Sequence, residues 1–261
     1  MQAQLGLIGT GMLGGAIARR LLTAGYVTPD VLALANRSGS AKGFEDWPGV
    51  RIVTDMQALA DGCDTILLAA PPAAADGLRI EAGDRLVVSV MAGVSLAQLS
   101  AMTGSPHVVR AMSSPAAEIG LAYSPWTAAE AVNADDRAIV SRLFSACGTT
   151  DEVSDESQIE CFTALTGPVP GFVAFFADAM VRYAVEAGID ERTATRAIRQ
   201  LFRAGGTMLA EGDMTPGDHV QEMIDYAGTT AAGLVAMQEL GISDLIAKGL
   251  DAAVEKTRSI A

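Results

Sequence analysis

The sequence predicts an α/β protein: a doubly wound parallel sheet followed by an all-helical domain. Three observations carry this. Residues 5–22 read LGLIGTGMLGGAIARRLL, a short apolar strand, a G-x-G-x-x-G turn and a helix. Strand-like and helix-like stretches then alternate to about residue 154. From Asp155 onward the strand signals vanish and each segment carries helical period. The expected domains are therefore residues 1–154 and 155–261.

The opening strand rests on Leu5, Leu7 and Ile8, and the helix on Met12, Leu13, Ala16, Ile17 and Leu21. Between them, Gly9 permits a tight turn, Gly11 lets backbone approach a pyrophosphate, and Gly14 lets the helix pack on the strand. The helix N-terminus offers free N–H groups and a partial positive charge. Gly9, Thr10, Gly11, Met12, Leu13 and Gly14 are thus candidate cofactor contacts in a Rossmann-type fold.

Gly25 ends that helix, and VLALA at 31–35 is the second strand. About 20 residues past the glycines, an acidic residue would bind a ribose 2′-hydroxyl. Asn36-Arg37-Ser38 stands there instead. A guanidinium flanked by small polar side chains suits a 2′-phosphate, so NADP(H) is expected in preference to NAD(H).

Further strands are expected at 50–53, 64–69, 86–91, 108–109, 119–123 and 149–153, with helices from 56, from Ser95 as N-cap, and over 134–147. In such sheets ligands sit beyond the carboxyl ends of the strands. The loops at 9–14, 36–38, 69–72, 91–93 and 112–115 should therefore converge on one cleft. Helices are expected over about 155–165, 168–187, 190–211, 215–223, 229–240 and 243–258. The stretch FVAFFADAMVRYAVEA at 172–187 is apolar on nearly all sides. Such a helix must be buried all round, which predicts an obligate homodimer, the alternative being burial within one chain.

Composition narrows the classes. Half of the 261 residues are apolar and the net charge is −13. Chains this acidic are poor partners for nucleic acid or anionic membranes. Cys63, Cys147 and Cys161 fit neither a metal cage nor a disulfide framework, and read as buried reduced thiols. His107 and His219 form no zinc motif. No metal is expected. The opening MQAQLGLIG lacks the basic and apolar regions of an export signal, so a cytoplasmic location is expected. No lysine occurs between Lys42 and Lys248, which disfavours hydroxyacid dehydrogenases that use a lysine base in a helical domain.

The most specific stretch is late: YAGTTAAGL at 226–234. With the opening glycines, SVMAGV at 89–94, RAM at 110–112 and the helical second half, the chain resembles the pyrroline-5-carboxylate reductases along essentially its whole length. The resemblance implies reduction of a cyclic imine to proline with NAD(P)H, and a helical domain that builds intertwined dimers, often assembled further. It places cofactor contacts at Ala70 and Pro71 and at Met91, Ala92 and Gly93. It places the substrate at Asp225, Gly228, Thr229 and Thr230, with backbone N–H groups holding a carboxylate and Thr230 beside the reacting imine.

Some positions depart from the family pattern. Met112-Ser113-Ser114-Pro115 is one residue shorter than the family's loop and lacks its asparagine. The family's loop lysine is absent at 69–72, and 166–172 reads TGPVPGF in place of a Ser-Gly-rich run. Asp225 stands where the family has a serine that bonds the substrate carboxylate. Either Asp225 caps the helix that follows, or it faces the ligand and the substrate differs. The alternatives are thus a reductase of another imine or related carbonyl, and a non-catalytic NADP-binding regulatory protein.

Overall fold

The computed structural model describes residues 5–259. By backbone compactness the chain divides into two units. One runs to Pro168 and resumes at Ala253; the other is Val169–Ala252.

The first unit is built on β1 (Leu5–Ile8), α1 (Met12–Thr23), β2 (Leu32–Ala35), β3 (Arg51–Val53), α2 (Met56–Asp61), β4 (Thr65–Leu68) and β5 (Leu86–Ser89). It continues through α3 (Leu96–Thr103), β6 (Val108–Ala111), β7 (Ala122–Tyr123), β8 (Trp126–Ala128), α4 (Ala134–Ser145), β9 (Gly148–Thr149) and α5 (Glu156–Leu165). The sheet order is β3-β2-β1-β4-β5-β6-β8, parallel except for β8, which runs antiparallel to β6. Strand order reverses at β1, which pairs with β2 on one side and β4 on the other. β1, β2, β4, β5 and β6 are buried throughout. Strands covered on both faces read as unbroken apolar runs, which is why LALA and TILL carry no alternation. Asp55 caps α2, and Ser95 with Gln98 forms a capping box at the start of α3.

Three expectations change. The strand expected over 119–123 shortens to the two-residue β7, because Ile119 still belongs to a 3-10 turn at Pro115–Ile119. β7 pairs with β9 in a separate small sheet, and the strand expected over 149–153 shrinks to β9 and one bridge from Glu152 to Trp126. β8 was not expected, because three residues after Pro125 are too short to show a period.

The second unit holds α6 (Gly171–Glu186), α7 (Glu191–Glu211), α8 (Pro216–Asp225), α9 (Thr229–Glu239) and most of α10 (Ile242–Arg258). α6 packs on α7, and α8 on α9. The change of secondary structure near residue 155 and the change of compact unit at 168 do not coincide. α5 is helical yet packs on β6 and β8, so it stays with the sheet. α6 has no buried residue in the single chain; Phe175 is 67% and Tyr183 75% exposed. The alternative of burial within one chain is therefore excluded for α6. Apolar patches of this kind mark interaction surfaces. Among the described residues no helix is long and apolar enough to cross a membrane.

Candidate functional site

The loops after β1, β2, β4 and β5 start side by side because the sheet ladder continues one bond past the strands. Gly9 N–H donates to Ala35 C=O at 3.0 Å, Ala69 N–H to Ile8 C=O at 2.8 Å, and Val90 N–H to Leu68 C=O at 2.9 Å. Asn36 N–H donates to Val53 C=O at 3.2 Å. Four of the five expected loops are thus brought to one sheet edge. The fifth, at 112–115, follows β6 at the same edge. Its Ser113 is buried, with its Oγ 2.9 Å from Ser124 Oγ.

Each glycine of the opening motif meets a different demand. Gly9 has φ +100°, and a Cβ there would lie 2.7 Å from the Ala69 carbonyl carbon and the Ala70 nitrogen. A side chain at Gly14 would collide with Gly9 C=O and approach the Ala69 methyl to 2.8 Å. Gly11 differs: a Cβ there would meet nothing within 4 Å. The protein itself does not require a glycine at 11, so the open space is where a ligand backbone approach would need one. Gly11 is also the N-cap of α1 and makes no side-chain cap. The first-turn N–H groups of Met12, Leu13 and Gly14 therefore have no capping partner, and the glycine cradle fits a pyrophosphate.

At the end of β2, Asn36 organises the turn. Its Oδ1 accepts from Ser38 Oγ at 3.1 Å and from Ser40 N–H at 3.2 Å, while its Nδ2 donates to Ser40 C=O at 3.0 Å. Arg37 is exposed, and its guanidinium has no hydrogen bond or ion pair among the described residues. Across the edge, Ala70 is half-buried and Pro71 exposed; Met91 and Gly93 are buried with Ala92 between them half-buried. Ser89 Oγ accepts from Met91 N–H at 3.1 Å and holds that loop's start.

The substrate candidates lie in the second unit, at the junction of α8 and α9. Gly228 is the N-cap of α9, without a side-chain cap. The N–H groups of Thr229 and Thr230 open the helix, and both side chains are exposed. Thr230 Oγ1 has no hydrogen-bond partner among the described residues. These uncapped helix-start N–H groups are of the kind that hold an anion, and a free hydroxyl stands among them. Asp225 does not cap α9. It sits in the last turn of α8, where its Oδ1 accepts from Gln221 Nε2 at 2.8 Å. Ala227 then takes φ +58°, the left-handed region that favours glycine.

Two structural details near these residues escaped sequence reasoning. Ala227's conformation shows only in three dimensions. So does a buried ion pair behind the edge. Arg110, at the end of β6, is 4% exposed and donates from Nη1 to Glu156 Oε1 at 2.8 Å. The same oxygen accepts from Leu96 N–H at 2.8 Å, the first residue after the loop that carries Met91–Gly93. Glu160 stands 3.9 Å from Arg110 and also pairs with Arg258 at 3.1 Å. On the outer side of α1, Arg19 donates to both oxygens of Glu118 at 2.6 Å and holds that carboxyl below the usual glutamate range.

Other titratable groups are structural. His107 Nδ1 lies 3.0 Å from Asp136. Cys63 and Cys147 are buried, and burial pushes the Cys147 thiol up to about 12. Cys161, in α5, is exposed, contrary to expectation; the buried residues of that helix are Ile159 and Ala164. Among the described residues no group of His, Cys, Asp and Glu is placed to hold a metal ion.

Residues 156–260 match the family model for pyrroline-5-carboxylate reductase dimerisation, and residues 4–93 match that for NADP oxidoreductase, coenzyme F420-dependent. The chain is 27% identical over 265 residues to a pyrroline-5-carboxylate reductase of Synechocystis sp., covering 100% of this chain and 99% of that one. It is 28% identical to one from Methanosarcina acetivorans, covering 98% and 97%. Among solved structures, the 1-pyrroline-5-carboxylate reductase of Streptococcus pyogenes superposes with a TM-score of 0.82 at 25% identity, covering 98% of each chain. A pyrroline-5-carboxylate reductase from Coxiella burnetii shares the fold at a TM-score of 0.87 and 24% identity, covering 100% and 99%.

Proposed function

We propose that the chain is a member of the pyrroline-5-carboxylate reductase family and reduces pyrroline-5-carboxylate to proline with NADPH. The observation that carries this reading is colinearity over the full length: the glycine cradle and the 226–234 stretch both occur in one chain that aligns end to end with the named reductases. A pyridine nucleotide is the reductant, and when bound it supplies the hydride.

The chain's own residues have modest work to do. The first turn of α1 binds the pyrophosphate over Gly11. Arg37, with Asn36 and Ser38, takes the 2′-phosphate, which makes NADPH the preferred form. Ala70, Pro71 and Met91–Gly93 border the nicotinamide end. The uncapped N–H groups at Gly228–Thr230 hold the substrate carboxylate. Reduction adds hydride to the imine carbon and a proton to its nitrogen, so C=N becomes CH–NH. Thr230 Oγ1 hydrogen-bonds that nitrogen and keeps the proton on it. Imine reduction needs no strong base, which suits a site with no lysine or histidine assigned to it.

Self-association completes the reading. The dimerisation match covers α5 through α10, and α6 exposes its apolar surface in the single chain. The active form is a homodimer or a higher oligomer; a folded monomer at micromolar concentration in light scattering would refute it. A second reading, reduction of a different imine, draws on Asp225. A substrate carboxylate brought beside it meets a repulsion on the order of 1 kcal/mol. A panel of cyclic imines with and without carboxylates separates the two. NADPH consumption with pyrroline-5-carboxylate supports the first, and consumption only with uncarboxylated imines the second.

A further inference from the structure

Helix α7 carries Arg192, Arg196, Arg199 and Arg203, spaced by four, three and four residues. That spacing sets them in one row along the helix. All four are exposed, and with Thr195, Gln200 and the carboxylates of Asp190 and Glu191 they line an open groove of about 930 Å³. None of the four guanidinium groups has an ion pair or hydrogen bond among the described residues. Like charges three and four apart oppose the helix that holds them. Asp190 and Glu191 supply two carboxylates in the same groove against four guanidinium groups, so the row keeps an excess of positive charge in a chain whose net charge is −13.

A matching row lies on α8. Asp218, Glu222 and Asp225 are exposed and spaced by four and three residues, the same period as the arginines. Within one chain no ion pair joins the two rows, among the described residues. Both rows fall inside residues 156–260, the stretch matched by the dimerisation model. We infer that the arginine row of α7 seats on the acidic row of α8 from a second copy of this chain. By two-fold symmetry such a seam forms twice in the dimer. Apolar faces supply adhesion without register; complementary charges fix register and reject wrong partners. The inference rests on the self-association proposed above and adds the polar element that specifies it.

Glu222 is the middle of its row. Laid antiparallel it meets Arg199, and laid parallel it meets Arg196. The test is sedimentation velocity on the full chain at low and high salt, with folding of each variant checked by far-ultraviolet circular dichroism. Glu222→Arg and Arg199→Glu alone are expected to raise the dimer dissociation constant at least about tenfold. One combined variant, Glu222→Arg with Arg199→Glu or with Arg196→Glu, should restore it, and whichever does so gives the direction of the seam. Singles that dimerise like the wild type, or combinations that both fail to restore a dimer lost by folded singles, overturn the seam while leaving the dimer intact as a reading. A wild-type chain that is monomeric overturns both.

Discussion

Replacing Glu156 with alanine strands a buried cation. Arg110 is 4% exposed and its main counter-charge is the Glu156 carboxylate at 2.8 Å. Removing one partner of a buried pair costs about 3–5 kcal/mol, because the remaining charge is left unpaired out of water. Two features reduce that here. Glu156 is itself 33% exposed, and Glu160 remains 3.9 Å from Arg110. One feature adds to it, since Leu96 N–H loses its acceptor. The expected loss is roughly 2–3 kcal/mol. For a body of this size that lowers the melting midpoint by roughly 4–12 °C. Both tryptophans, Trp47 and Trp126, belong to the sheet unit, so thermal unfolding followed by tryptophan fluorescence reads the right part of the molecule. Glu156→Gln keeps an acceptor and should lose less. Adding Arg110→Leu to Glu156→Ala removes the stranded charge and should recover part of the loss. A Glu156→Ala variant within about 0.5 kcal/mol of wild type, which is the range of ordinary surface substitutions, would show that the pair carries no such weight.

Three further outcomes are expected. Arg37→Ala should raise KM for NADPH roughly tenfold, the lower end of a charge-assisted hydrogen bond at an exposed site, and leave NADH nearly unchanged; equal effects on both cofactors would remove Arg37 from the 2′-phosphate. Thr230→Ala should lower kcat roughly 10–150-fold, as for a hydrogen bond to a charged group, with KM for NADPH unchanged; an unaltered kcat would refute the role. Glu118 has a lowered carboxyl because Arg19 hydrogen-bonds its charged form, so the unfolded chain binds that proton more readily. The stability it contributes is present above the ordinary glutamate range and is lost as pH falls through the folded value. Melting curves on acidification should be shallower in Glu118→Gln than in wild type, and identical slopes would contradict the assignment.

The features legible in the sequence were local. Gly9, Gly11 and Gly14 announce themselves by their fixed spacing: Gly9 and Gly14 meet steric demands of the chain itself, and Gly11 leaves open space. The cap at Ser95 is legible because a serine just before a helical stretch is a common N-cap, while its reciprocal bond with Gln98 shows only in the structure. The buried strands show as apolar runs. What escaped depends on distance or on shared surfaces. Arg110 and Glu156 are 46 residues apart, and nothing local in either says they meet. β8 exists only because β6 offers it an edge. Asp225 looked like a cap for α9 from its position, but the chain stays helical through it and turns at Ala227, so the cap falls to Gly228. The all-round apolar character of α6 was plain in FVAFFADAMVRYAVEA. Its exposure in a single chain is what turns that pattern into an argument for a partner.

The proposed function comes down to one claim, that hydride from NADPH reaches a cyclic imine. The most direct measurement follows NADPH absorbance with pyrroline-5-carboxylate while proline is quantified in the same vessel. Consumption of one NADPH for each proline formed is the expected result. No NADPH oxidation above the substrate-free background, in a chain that binds NADPH and is dimeric, would contradict the account.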